Sequence, residues 1–235
     1  MIKALAFLQD LDHNGNGGGA EMLRIREPVN GFTHLGGVAL SILGLVVLLV
    51  ASARLLSALH IASFAIYGAS LILLYTASSL YHLLPLRPRG VALLRRIDHM
   101  MIFVLIAGTY TPICLIALRG PWGLGLLIAA WMLAVLGIIL KAAWPGAPRL
   151  LSTLFYLTMG WLVVVAFPPL LRGIPAGAVA WLAGGGALYS IGAALYALKW
   201  PKGIRGFGFH EIFHLFVLGG SFCHFWMMFR YILFL

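Results

Sequence analysis

"HEIFHLFVLGGSFCHFWMMFRYILFL", residues 210–235, decides the fold class. After Glu211 its only Lys, Arg, Asp or Glu is Arg230, so the stretch holds about 20 apolar positions in a row, enough to cross the hydrocarbon core of a bilayer. It also opens on two histidines four apart with a glutamate between them, the H-E-x-x-H pattern of zinc peptidases. A membrane span that begins with a metal-ligand pair raises two questions: how many such spans there are, and which other polar groups share that depth.

The whole chain answers the first. It is 62% hydrophobic and 9% charged over 235 residues, far from the balance of a soluble domain. Seven spans are predicted, at roughly 32–53, 59–84, 98–118, 122–140, 150–171, 176–198 and 211–234. The expected fold is an all-α, polytopic seven-transmembrane helix bundle, residues 27–235, preceded by a flexible tail at residues 1–26. The opening "MIKALAFLQ" is too short in apolar length for a signal peptide, so the first span is expected to direct its own insertion.

Charge placement sets the orientation. Lys and Arg number 16 against 6 acids, which might suggest nucleic acid. With seven spans, twelve of those cations fall on one set of alternate loops, and only Arg54, Arg119, Arg172 and Arg230 fall on the other. That bias puts the amino terminus in the cytoplasm and the carboxyl terminus outside. Trp122, Trp144, Trp181 and Trp200 are expected at span ends, as an interfacial belt. The basic excess is thus topological, with some affinity for anionic lipid, and excludes a nucleic-acid role. Cys114 and Cys223, both within spans, read as small apolar residues rather than a disulfide or zinc ribbon.

In the tail, "DLDHNGNGGGAE" matches the fixed positions of an EF-hand loop through Asp10, Asp12, Asn14, Gly15 and Glu21. Gly17 stands where such loops carry an apolar residue, and a polar linker is the better reading than a Ca²⁺ site. Pro112 should kink span three by freeing the Gly108 carbonyl, with Thr109 or Thr111 available to cap it. The glycines at 184–186 and 219–220 should let helices approach closely.

Ionisable groups within spans cost about 2.5 to 3.5 kcal/mol each on insertion scales. Here they are His34, His82, Asp98, His99, His210, Glu211, His214 and His224. His34 starts span one, His82 ends span two, Asp98 falls in the first turn of span three, and His210 and His214 open span seven. Four separate segments thus bring titratable groups to one depth. His210 and His214 project from one helix face; a third imidazole from His82 would complete three nitrogen ligands and leave a tetrahedral position open to water, a site that suits Zn²⁺. Asp98 would accept a proton from that water, and Ser78, one turn before His82, could bond to Asp98, the water or a substrate oxygen. Each has a plainer reading: headgroup-facing histidines, a helix-end His82, an Asp98 favoured by the helix dipole, a packing hydroxyl. Coincidence at one level favours a site. His99 points about 100° away from Asp98 and is taken as structural. His224 lies about 21 Å deeper than His210, too far for the same ion.

With these residues assembled, the chain resembles the bacterial haemolysin III family, within the progestin and adiponectin receptor superfamily. The motifs are "EPVNGFTH" entering span one, "SSLYHLLP" closing span two, "RRIDHMMIFVLIAGTYTPI" in span three and "HEIFHLFVLGGSFCHF" in span seven. The resemblance implies one zinc per chain held by His82, His210 and His214, with Asp98 at the metal's water and Ser78 in the site. Glu27, Asn30, His34, Glu211 and His224, carried by the same motifs, are accessory candidates. Alkaline ceramidases belong to the wider superfamily, so the resemblance implies hydrolysis of a lipid amide or ester, or a related role in membrane-lipid homeostasis, with ceramide, a fatty acid or a phospholipid as ligand, in a bacterial inner membrane. The alternatives are a non-enzymatic receptor-like or haemolysin-type protein with a structural zinc, and an intramembrane peptidase. The last is disfavoured because nothing after Glu211 is acidic and no peptide-binding strand is apparent. Glu211 projects about 100° from His210 and is expected at the rim.

Overall fold

The computed structural model describes residues 25–55, 57–203 and 207–235. The EF-hand-like residues Asp10, Asp12, Asn14 and Glu21 lie outside the described residues. Seven helices are long and apolar enough to cross a membrane: Pro28–Arg54, Ala58–Leu83, Pro88–Leu118, Gly120–Ala143, Arg149–Gly173, Ala176–Leu198 and Phe209–Phe234. They are numbered here as spans one to seven. Prolines start several of them, Pro28 and Pro88 at the first helical position, where a missing N–H costs nothing.

Span three departs from expectation. Its helix starts at Pro88, ten residues before the apolar run, because Arg89, Arg95 and Arg96 hide a helical segment from hydropathy. Asp98 therefore sits well inside the helix, not in its first turn, and the macrodipole does not account for it. After Pro112 the helix widens into a π-type turn over Ile113–Leu118. Thr109 and Thr111 donate to the carbonyls of Leu105 and Ala107, at 2.8 and 3.0 Å, so neither caps Gly108. Span five is also broken: helix Arg149–Gly160, a tighter 3-10 segment Trp161–Ala166, then Phe167–Gly173. Tyr110 of span three repairs the break. Its hydroxyl accepts the Val163 N–H and donates to the Gly160 carbonyl, both at 2.8 Å, as buried backbone in a bilayer requires.

Span one packs on spans two and seven through a stripe of mostly small residues, Asn30, Gly31, His34, Gly37, Ser41, Gly44, Leu48 and Ser52. Spans six and seven also approach closely. A Cβ on Gly185 would collide with the His224 ring, and one on Gly220 would lie 2.9 Å from the Tyr189 ring, as the paired glycines suggested. Trp122, Trp144 and Trp200 are exposed at span ends. Trp181, however, lies within span six and packs on Phe222 and Trp226.

The bundle is packed unevenly. Tyr110, Ile113, Ile116, Leu170, Met227, Met228 and Ile232 belong to one buried apolar cluster towards the end away from the paired histidines. At the histidine end the spans stand apart around a cavity of about 550 Å³, lined mainly by spans two, three, five, six and seven, with His34 of span one and Lys141 of span four also reaching it. Small residues on span one hold that end together. A Cβ at Gly37 would lie 2.8 Å from the Tyr75 ring and 3.0 Å from Leu218, whereas one at neighbouring Gly36 would meet nothing within 4 Å. Gly37→Leu is therefore expected to lower the melting temperature in detergent, at a cost of about 1–3 kcal/mol, while Gly36→Leu leaves it unchanged. Equal effects from both would contradict this packing.

Candidate metal centre

His82 is the next-to-last residue of span two, and His210 and His214 lie in the first two turns of span seven. Their rings form a nearly equilateral propeller. Centroids are 5.0 Å apart for His82–His210, 4.9 Å for His82–His214 and 5.0 Å for His210–His214, with planes 73–76° apart. One nitrogen from each falls within 4.8 Å of the other two, close enough for a single ion to reach all three. His82 and His214 are buried. The Nε2 of His82 and the Nδ1 of His214 have no hydrogen-bond partner. Buried lone pairs left unmatched cost about 1–3 kcal/mol each, and three clustered imidazoles at one point lack any donor to share. A cation is what this arrangement fits.

The surrounding hydrogen bonds set the rings for that task. Glu27, immediately before span one, accepts from the His82 Nδ1–H at 2.7 Å, which commits Nδ1 and leaves Nε2 as a lone-pair donor, the orienting role a carboxylate plays behind a metal-bound imidazole. That hydrogen bond holds the Glu27 carboxyl down at about 2 against the opposing effect of partial burial, and the Asn30 amide adds to the lowering. Asn30 donates to Glu27 at 3.1 Å and to Glu211 at 2.8 Å. Glu211 in turn accepts the Gly208 N–H at 2.7 Å, capping span seven. Glu211 thus faces inward to span one rather than the rim, and it ties the start of span seven to the start of span one. Two bonds to main-chain carbonyls reinforce the join: the Glu27 N–H donates to the His82 carbonyl at 3.0 Å, and the Arg26 guanidinium donates to the Tyr81 carbonyl at 2.8 Å.

His34 stacks on His214, with centroids 3.6 Å apart and planes within 13°, and its Nδ1 meets the Ser78 hydroxyl at 2.8 Å. Ser78 faces Asp98, and the Asp98 carboxyl lies in the field of His82. Ser78, Asp98, His210 and His214 line the cavity, and so does His99, which the sequence reading had set aside. His224 lines it too, far from the propeller, with its Nε2 directed at the Leu182 carbonyl at 3.3 Å. Cys114 and Cys223 are free and buried.

Glu27 and Asn30 were accessory candidates by resemblance only; their partners were not legible from the residues, because both precede or open a span, where polar residues are ordinary, and the signal was a carboxylate placed one residue before the helix-starting Pro28. The positions of Arg95, Lys141 and Arg149 on the cavity wall were also missed, since the charge bias alone accounted for them.

Comparison with known proteins agrees with this architecture. A family profile described as "Haemolysin-III related" matches residues 22–225. "Hemolysin-3" of Bacillus cereus is 42% identical over 207 residues, covering 88% of this chain and 92% of that protein. The "Hemolysin-3 homolog" of Bacillus subtilis (strain 168) is 44% identical over 202 residues, covering 85% and 92%. A more distant similarity, 27% over 176 residues, covering 71% of this chain and 69% of the relative, joins it to the human "Monocyte to macrophage differentiation factor". The chain belongs to the haemolysin-III-related family of multi-pass membrane proteins.

Because Glu27 holds His82 in one tautomer, Glu27→Gln should weaken metal affinity about 10–100-fold. Competition with a chromogenic chelator on purified protein measures this; unchanged affinity would show that the carboxylate has no part in the site.

Proposed function

We propose that this chain is a zinc-dependent hydrolase of lipid amide or ester bonds in a bacterial cytoplasmic membrane, with its amino terminus inside. One observation carries the reading: two histidines of the propeller, His210 and His214, share the wall of one cavity with a buried carboxyl and a hydroxyl, Asp98 and Ser78, and the deeper lining is mostly apolar, with Leu105, Ile106, Ile113, Val163 and Phe167. A volume of about 550 Å³ is that of a small-molecule site. Long apolar depth beyond a polar centre suits an acyl chain. The positive charge bias of alternate loops supports the orientation.

Zinc, held by His82, His210 and His214, would supply polarisation of the substrate carbonyl and acidification of the attacking water. The chain's own residues do the rest. Asp98 takes the proton from water as its oxygen adds to the carbonyl carbon. It then returns the proton to the departing nitrogen or oxygen as the C–N or C–O bond breaks, giving a carboxylic acid and an amine or alcohol. Ser78, bonded to the His34 Nδ1 at 2.8 Å and facing Asp98, would steady the carboxyl beside the propeller. His34, stacked on His214, keeps that ring from turning. The apolar wall excludes competing water.

A second reading has its own support. The three histidines come from two spans that are far apart in sequence, so a bound ion would also staple spans two and seven together, and a receptor-like or haemolysin-type protein could need only that.

The two readings part experimentally. Under the hydrolase reading, Asp98→Ala and chelator-stripped protein lose at least about 100-fold in turnover of ceramide or phospholipid substrates, while Asp98→Ala keeps its metal and its melting temperature. His210→Ala lowers metal content and thermal stability under both. If no lipid yields product with the intact metal-loaded chain, the staple alone survives.

A further inference from the structure

The cavity's mouth carries a charge that the proposed chemistry does not use. Arg95, Arg96, Lys141 and Arg149 all line it. Arg95, Lys141 and Arg149 gather around His99, and Arg149 also lies in the field of His210. None of the four has an acidic partner among the described residues, where the only ion pairs are those that Glu27 makes with Arg26 and His82. The acids of the cavity wall are Glu27 and Asp98, and both are engaged, with His82 and Ser78. Arg149 is held in place, stacked 4.4 Å over Tyr196 and donating to its carbonyl at 3.2 Å, which leaves other guanidinium N–H groups free. The Nε of Arg96 is shielded from solvent with no acceptor. Orientation in the membrane does not demand this. Arg87, Arg89, Lys199 and Lys202 belong to the same set of loops and stay outside the cavity. Cations ranged round one cavity mouth, Arg95 exposed at its rim and Arg96, Lys141 and Arg149 half-buried, with no acid paired to any of them, are a site for an anion.

Helical register places that anion. Arg95 and Asp98 are three residues apart on span three, a rise of about 4.5 Å, and the wall continues from Asp98 to Ile113 for about 22 Å more. From mouth to floor the cavity therefore presents cations, then the carboxyl with His210 and His214, then a mostly apolar depth. We propose that the basic mouth selects acyl amphiphiles bearing a phosphate within a few bonds of the scissile carbonyl, in preference to neutral lipids such as ceramide. The excess of unpaired cations favours a phosphate over a singly charged carboxylate. The assignment rests on the hydrolase reading for which bond is cut, but the binding preference itself does not.

The test is equilibrium binding to metal-loaded Asp98→Ala protein in neutral detergent, so absence of turnover cannot mask the result. The probes are 1-oleoyl lysophosphatidate, 1-oleoyl glycerol and inorganic phosphate. Lysophosphatidate should bind at least about tenfold tighter than the uncharged glyceride, the gain expected of hydrogen bonds to a charged group. That preference should collapse in Arg95→Gln/Lys141→Gln and persist in Arg95→Lys. Unchanged glyceride binding in the double variant shows that the fold is intact; loss of glyceride binding there moves the comparison to Arg149→Gln. Equal affinity for the two lipids in the unsubstituted mouth overturns the proposal. Inorganic phosphate that binds as tightly as lysophosphatidate, with the same dependence on Arg95 and Lys141, overturns the lipid assignment and makes the mouth a free-phosphate site.

Discussion

The hydrogen bond from His82 to Glu27 is the contact around which the rest is arranged. It joins the entry of span one to the exit of span two, it decides which ring nitrogen of His82 stays free, and through Asn30 and Glu211 it reaches the first turn of span seven. Burial penalises the unpaired polar atoms among these groups, His82 and Asn30 above all, which are almost wholly removed from solvent. Joined in series they satisfy one another, and the three spans that carry them are held at a fixed height. The propeller of imidazoles is a product of that alignment.

Packing divides the labour between the two ends of the bundle. Away from the histidines, large side chains such as Met227, Met228 and Leu170 are fully buried, and the helices form a dense core. At the histidine end, glycines and serines let span one lie close against its neighbours, while broken span five stands off and leaves room for a ligand. Tyr110 is the hinge between these regimes, since its hydroxyl satisfies the backbone where span five changes pitch. Stability at one end thereby supports a space at the other that apolar collapse would otherwise close.

Much of this was legible in the sequence. The seven spans follow from apolar length, the His210–His214 pair from helical period, and the meeting with His82 from a shared depth. Where reading failed, the cause was physical. Hydropathy stops at charge, so the first turns of span three were lost and Asp98 was assigned to a helix start. Helix periodicity gives the direction of a side chain but not its partner, so Glu211 was sent to the rim although Asn30 draws it inward. The hydroxyls of Thr109 and Thr111 chose carbonyls a turn back along their own helix, leaving the irregularity at Pro112 to a wider turn. Arg95, Lys141 and Arg149 fulfilled one rule, the charge bias of loops, and a residue that obeys one rule gives no hint that it also serves another.

The histidine cluster joins the second span to the seventh. During synthesis His82 has entered the bilayer long before His210 and His214 leave the ribosome, so its free nitrogen has no fellow donors for most of the chain's assembly. An ion held by the three rings would have to be captured last, after insertion of the seventh span, so a loaded cluster would mark a finished molecule.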